Sequence, residues 1–109
     1  MKKIYLSGQM KGLDEEVYTK MFAEAEKFYT DKGFKVINPV ILGKKLEAIF
    51  EEFGNCKPSY EDYMALDLAI LKTCDVIVML PTWKESAGAE REMKHAICNL
   101  ITVEHYEKK

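Results

Sequence analysis

The sequence predicts an α/β domain built on a parallel sheet with strand order 2-1-3-4. Three observations point there. Apolar patterning switches repeatedly between the periods of strand and helix: strand, helix, strand, two helices, strand, helix and a short last strand. Residues 74–97, CDVIVMLPTWKESAGAEREMKHAI, read as a buried strand running into a loop and then a helix. The β-branched run Val76, Ile77, Val78 suits the centre of a parallel sheet, and Pro81 stops it. At 109 residues, with 48% hydrophobic and 31% charged residues, the chain is one globular domain over 1–109 with its own core.

Each element has a local reason. Lys3 to Ser7 forms the first strand, and Ser7-Gly8-Gln9-Met10-Lys11-Gly12 breaks it with two glycines, as a strand-to-helix turn does. The first helix covers roughly residues 14 to 31: Asp14 is its N-cap candidate, Val17, Met21, Ala25 and Phe28 its apolar stripe, and Gly33 its stop. Phe34 to Asn38 is the second strand, ended by Pro39. Ile41 to Phe53 carries Leu42, Leu46, Ile49 and Phe53 on one helical face and stops at Gly54-Asn55. A further helix begins near Pro58-Ser59, with Tyr60, Met64, Leu68 and Leu71 as its stripe. The helix after Ser86 turns Ala89, Met93, Ala96 and Leu100 inward, Leu100 to Val103 forms the last strand, and EHYEKK is a solvated tail. Right-handed crossovers then give a small Rossmann-like, flavodoxin-like three-layer sandwich.

Bulk properties narrow the function classes. A net charge of −2 argues against nucleic acid or an anionic membrane as partner and leaves small ligands open. The apolar part of MKKIYLSG is too short for a signal peptide, and no run approaches the roughly 18 apolar residues of a membrane span, so the expected location is cytoplasmic. Cys56, Cys74 and Cys98 are odd in number and lack CxxC spacing, and His95 and His105 lack metal-ligand spacing. No metal and no cofactor is expected.

Chemistry in open parallel sheets gathers where loops leave the carboxyl ends of the strands, because helix N-termini aim unpaired N–H groups into that crevice. SGQMKG after the first strand has neither the lysine and hydroxyl of a P-loop nor the GxGxxG of dinucleotide binders. It offers Ser7, Gly8, Met10, Lys11 and backbone N–H groups, or simply a turn whose angles need glycine. Asp67 falls within the apolar arc of its helix, at i+3 from Met64 and i+4 from Tyr63; a carboxylate there needs a partner, borders solvent, or serves a site. Glu92 lies one residue off the inward stripe, on the helix flank bordering the crevice; it is a site carboxylate or a solvated glutamate paired with a neighbouring base. Glu85 and Glu90 sit near the helix start, where negative charge suits the dipole. Ser86 before Gly88 is a phosphate-binding position or an N-cap. Trp83 and Tyr5 lie beside the crevice, placed to stack on a base or to pack. Two carboxylates facing one crevice suit glycosidic cleavage, one ionised at the anomeric carbon and one serving the leaving group; retention needs them about 5 Å apart.

The segments IYLSGQMKG, FKVINPV, DLAILKTCDVIVMLPTW and SAGAEREMKHA together resemble the nucleoside 2-deoxyribosyltransferase superfamily, in particular its small deoxyribosyltransferase-like domains of phages and bacteria. The resemblance covers nearly the whole chain. The superfamily includes nucleoside 5′-monophosphate N-glycosidases, and its D…D…S-x-G-x-x-x-E pattern falls here on Asp67, Asp75, Ser86, Gly88 and Glu92. It implies Glu92 as nucleophile at the sugar C1′, Asp67 assisting the base or sugar geometry, Tyr5, Ser7 and Gly8 on the opposite wall, and Ser86 receiving a hydroxyl or phosphate. Asp75 is expected to support a strand end. It also implies a small-molecule nucleoside or nucleotide as partner and a homo-oligomer, taken as a dimer. Where family enzymes follow the glutamate with an apolar residue and a glycine, this chain has Met93 and Lys94. The rival expectations are a catalytically silent nucleotide-binding or sensing domain and an interaction protein with a vestigial crevice.

Overall fold

A computed structural model describes residues 2–106. Four strands, β1 (Lys3–Ser7), β2 (Lys35–Ile37), β3 (Val76–Met79) and β4 (Thr102–His105), form one sheet in the order β2-β1-β3-β4. Every pairing is parallel, with Tyr5 opposite Ile37 on one side and Ile77 on the other, and Ser7 opposite Met79. Four helices connect the strands: α1 (Glu15–Asp31), α2 (Pro39–Gly54), α3 (Tyr60–Leu71) and α4 (Ala87–Cys98). The predicted α/β class and strand order are those of the structure.

The two-residue period of β1 decides which side each residue serves. Ile4 and Leu6 join Val76, Val78 and Leu80 beneath Phe22, Ala25 and Tyr29 of α1. Tyr5 turns the other way, with Ile77 and Met79, toward Leu71 of α3 and Ala89 and Ala96 of α4. Both layers are closed by apolar burial, the dominant favourable contribution to folding. Among the described residues no helix is long and apolar enough to cross a membrane.

Helix starts follow capping chemistry. Ser59 accepts from Asp62 N while Asp62 accepts from Ser59 N, a complete capping box at α3. Asn38 Oδ1 caps α2 through Val40 N at 3.0 Å, with Pro39 as the first helical residue. Asp14 stands at the N-cap of α1, but its side chain makes no capping hydrogen bond.

Several side chains depart from the expected stripes. Val17, Ile49 and Phe53 are exposed, because α1 and α2 contact the rest of the fold along faces offset from those residues. Leu100 is 94% exposed: its φ of 58° turns the chain out of α4 toward β4, so it leaves the stripe it was assigned to. The last strand runs two residues further than expected, and the segment read as a solvated tail begins inside it. Tyr106 is buried, its N–H donating to Met79 O at 2.9 Å and its ring packed on Phe28 and Tyr29. The remainder of that tail, 107–109, lies outside the described residues.

Candidate active site

At the carboxyl end of β1, alternation places Tyr5 and Ser7 on the face covered by α4. There they meet Glu92. The α4 stripe that enters the core is Ala89, Glu92, Ala96, so Glu92 is on the buried face and only 6% exposed, rather than on the flank. Both its oxygens are held: Tyr5 Oη donates to Oε2 at 2.5 Å and Ser7 Oγ donates to Oε1 at 2.7 Å. Two hydroxyl donors on one carboxylate are charge-assisted hydrogen bonds of the strong kind.

Asp67, half-buried on α3, is the second carboxyl group of the site. Its expected neighbour Tyr63 instead donates to Glu47 Oε2 at 2.9 Å. Asp67 interacts with the Tyr5 hydroxyl. That hydroxyl has a single proton, and Glu92 receives it. Glu92 and Asp67 therefore compete for that one phenolic proton, and donation to Asp67 favours its ionised form.

Burial pushes Asp67 up to about 7, opposed by its hydrogen bond with Tyr5. Burial likewise raises Glu92 to about 7, opposed by the hydrogen bonds from Tyr5 and Ser7 and assisted by the nearby Asp67 carboxylate. Tyr5 is raised well above its ordinary value by burial and by both acids, so it stays a proton donor throughout. Two close carboxyl groups share a proton near neutrality. Glu92, with two donors, is the better holder of the charge, and Asp67 of the proton.

Glu92 and Asp67 both line a cleft of about 780 Å³. The β1–α1 turn contributes Gly8, Met10 and Lys11; the start of α4 contributes Ser86 and Gly88. Gly8 is required by packing, since a Cβ there would lie 2.9 Å from Leu80 Cβ. Ser86 Oγ accepts from Ala89 N at 3.1 Å and thus acts as the α4 N-cap.

Residues 2–104 match the family described as a domain of unknown function, DUF4406. The chain belongs to this family. No curated protein matches it.

Within this DUF4406 domain, eight of the expected residues gather around one cleft: Gly8, Met10, Lys11, Asp67, Ser86, Gly88 and Glu92 line it, and Ser7 supports it from behind. Tyr5 is fully buried, so its hydroxyl serves the site and its ring has no free face for a base. Trp83 is outside the lining; it packs with the β3–α4 layer, its ring 6.0 Å from that of His105. Asp75 is at the opposite edge of the sheet, where Oδ2 accepts from Lys3 N at 2.8 Å and ties the start of β3 to β1. Lys94 faces outward and pairs with Glu90 at 3.5 Å, away from the cleft. Glu85, read as a helix-dipole or surface charge, lines the cleft.

Sequence reasoning missed the far wall. Tyr18, Pro39, Val40, Gly43, Tyr60 and Tyr63 belong to it, with the charged groups of Glu15, Lys44 and Glu47. For α3 a signal existed: Tyr60, Tyr63 and Asp67 lie at helical spacing on one side, so choosing Asp67 should have brought both tyrosines with it. For α2 there was none, because its approach to β1 is a tertiary fact.

Proposed function

We propose that this domain cleaves or transfers the N-glycosidic bond of a nucleoside, a deoxynucleoside or a 5′-monophosphate of either, through a covalent glycosyl intermediate on Glu92. The observation that supports this reading is the Tyr5–Glu92–Ser7 cluster with Asp67 at the same hydroxyl: a carboxylate held by two donors in a cleft beside a second carboxyl group that burial raises to about 7, so that the pair shares a proton near neutrality. That is the division of labour glycosidic cleavage requires. The resemblance to the nucleoside 2-deoxyribosyltransferase superfamily supplies the substrate class.

In this reading Glu92 attacks C1′, the C1′–N bond breaks, and its electron pair leaves with the base, which takes the proton from Asp67. Water or a second base then attacks C1′ of the Glu92 ester, and the Asp67 carboxylate accepts the incoming proton. Hydrolysis and transfer differ only in that acceptor.

The test is incubation with a panel of ribo- and deoxynucleosides and their 5′-monophosphates, with and without free base, following base release and exchange by chromatography. Release abolished in Glu92→Ala is the expected result. Binding without release, unchanged in Glu92→Gln, would replace the enzyme by a sensing domain of the same fold.

A further inference from the structure

The charges lining the cleft discriminate between the two ligand forms left open above. Five carboxyl groups line it, those of Glu15, Glu47, Asp67, Glu85 and Glu92, against the two ammonium groups of Lys11 and Lys44. Lys44 is committed to Glu15 at 3.2 Å. Lys11 is then the cleft cation without an acidic partner among the described residues. Arg91 is the chain's single arginine, and it is spent outside the cleft on both oxygens of Glu61, at 2.8 and 3.2 Å. No guanidinium is left to make the bidentate contact that phosphate recognition favours.

The start of α4 is where an anion would otherwise settle, since Ser86, Ala87 and Gly88 at that helix N-terminus line the cleft. Glu85 immediately precedes the cap residue there, lines the same cleft, and has no ion-pair partner among the described residues. A phosphate dianion at this position would share the cleft with that carboxylate and with the charge shared by Asp67 and Glu92. The like charges oppose it, while an uncharged hydroxyl meets no such cost.

We infer that Glu85 is a specificity residue, which with the surplus of carboxylates excludes a 5′-phosphate and selects the uncharged nucleoside. The inference rests on the proposed function for taking the ligand to be a nucleoside at all. It runs against the expectation that Ser86 receives a phosphate, because the Ser86 hydroxyl oxygen already caps the helix and its neighbour repels the anion.

The experiment compares 2′-deoxyadenosine and thymidine with their 5′-monophosphates. The readout is kcat/KM where base is released and Kd by equilibrium dialysis where it is not. The nucleoside is expected to be preferred by about tenfold or more, with the ratio narrowing in 0.5 M NaCl, as screening of like charges requires. Glu85→Lys should shrink the ratio at least about fivefold, whereas Glu51→Gln, which removes an exposed charge of α2 outside the cleft, should leave it within about twofold. A monophosphate bound or processed as well as its nucleoside, or no binding of either form, overturns the inference. Selective nucleoside binding with no base release leaves the exclusion standing and removes the glycosidic reading; base release from monophosphates alone does the reverse.

Discussion

Tyr5 and Glu92, 87 residues apart in sequence, are joined by a buried 2.5 Å hydrogen bond from phenol to carboxylate. It sets how readily Glu92 ionises, because the bond favours the charged form against the burial that opposes it.

Tyr5→Phe keeps the ring and deletes the donor. Glu92 should then titrate higher than in the wild type. In kcat/KM, the limb that rises as Glu92 loses its proton should move to higher pH, and activity at pH 7 should fall roughly tenfold to a hundredfold. The direct check is the Glu92 carboxyl titration by ¹³C NMR, which needs no turnover. An unchanged midpoint would mean that Ser7 alone holds the carboxylate.

The raised carboxyl groups make stability depend on pH with a definite sign. Glu92 and Asp67 both titrate higher in the folded protein than their ordinary values of 4.5 and 3.8. Between about pH 4 and 7 the folded state therefore binds more protons than the unfolded chain, and stability falls as pH rises through that window, with each group contributing at most about 1.4 kcal/mol per pH unit. Glu92→Gln cannot ionise. Its stability relative to wild type, measured by urea unfolding, should increase from pH 5 to pH 8.

Two glycines of the cleft should respond oppositely to alanine. At Gly8 the new Cβ would meet Leu80 Cβ at 2.9 Å, backed by the fully buried β1–β3 contact, so Gly8→Ala should cost about 1–3 kcal/mol. At Gly88 the nearest atoms are 3.7 Å away, on Ser86 and Tyr60, and the residue is helical. Gly88→Ala should fold normally and gain up to about 1 kcal/mol from helix propensity. Its methyl would stand in the cleft, so weakened nucleoside binding with intact thermal stability would place the ligand against the start of α4.

The order of strands was legible because alternating strands and helices with right-handed crossovers leave few arrangements. Glu92 was chosen through the family resemblance; its helix pattern, read by hydrophobicity, put Met93 in the stripe and the carboxylate on the flank. The core accepts the carboxylate because Tyr5 and Ser7 satisfy it from β1, and such pairing is invisible until strand and helix are brought together. Trp83 failed for a related reason: nearness to a strand end says nothing of which layer a ring joins. Leu100 and Tyr106 were misplaced because a positive φ turns the one outward, while the last strand, continuing past Val103 to His105, carries the other onto the core.

Asp67 offers the sharpest separation of roles within the pair. If it delivers a proton to the departing base, its importance must scale with how much that base needs one. Asp67→Asn preserves size and leaves Tyr5 free to donate to Glu92, so the nucleophile survives the substitution. For an ordinary deoxynucleoside, kcat should fall by about a hundredfold or more, the usual worth of a positioned general acid. For a substrate whose leaving group is already cationic, such as a 7-methylguanine deoxynucleoside, the same variant should lose less than about tenfold. The high-pH limb of the kcat/KM profile, which reports loss of the acid's proton, should also vanish for the ordinary substrate. Equal losses for both substrates would reassign Asp67 from proton donor to binding, with Glu92 unaffected as nucleophile.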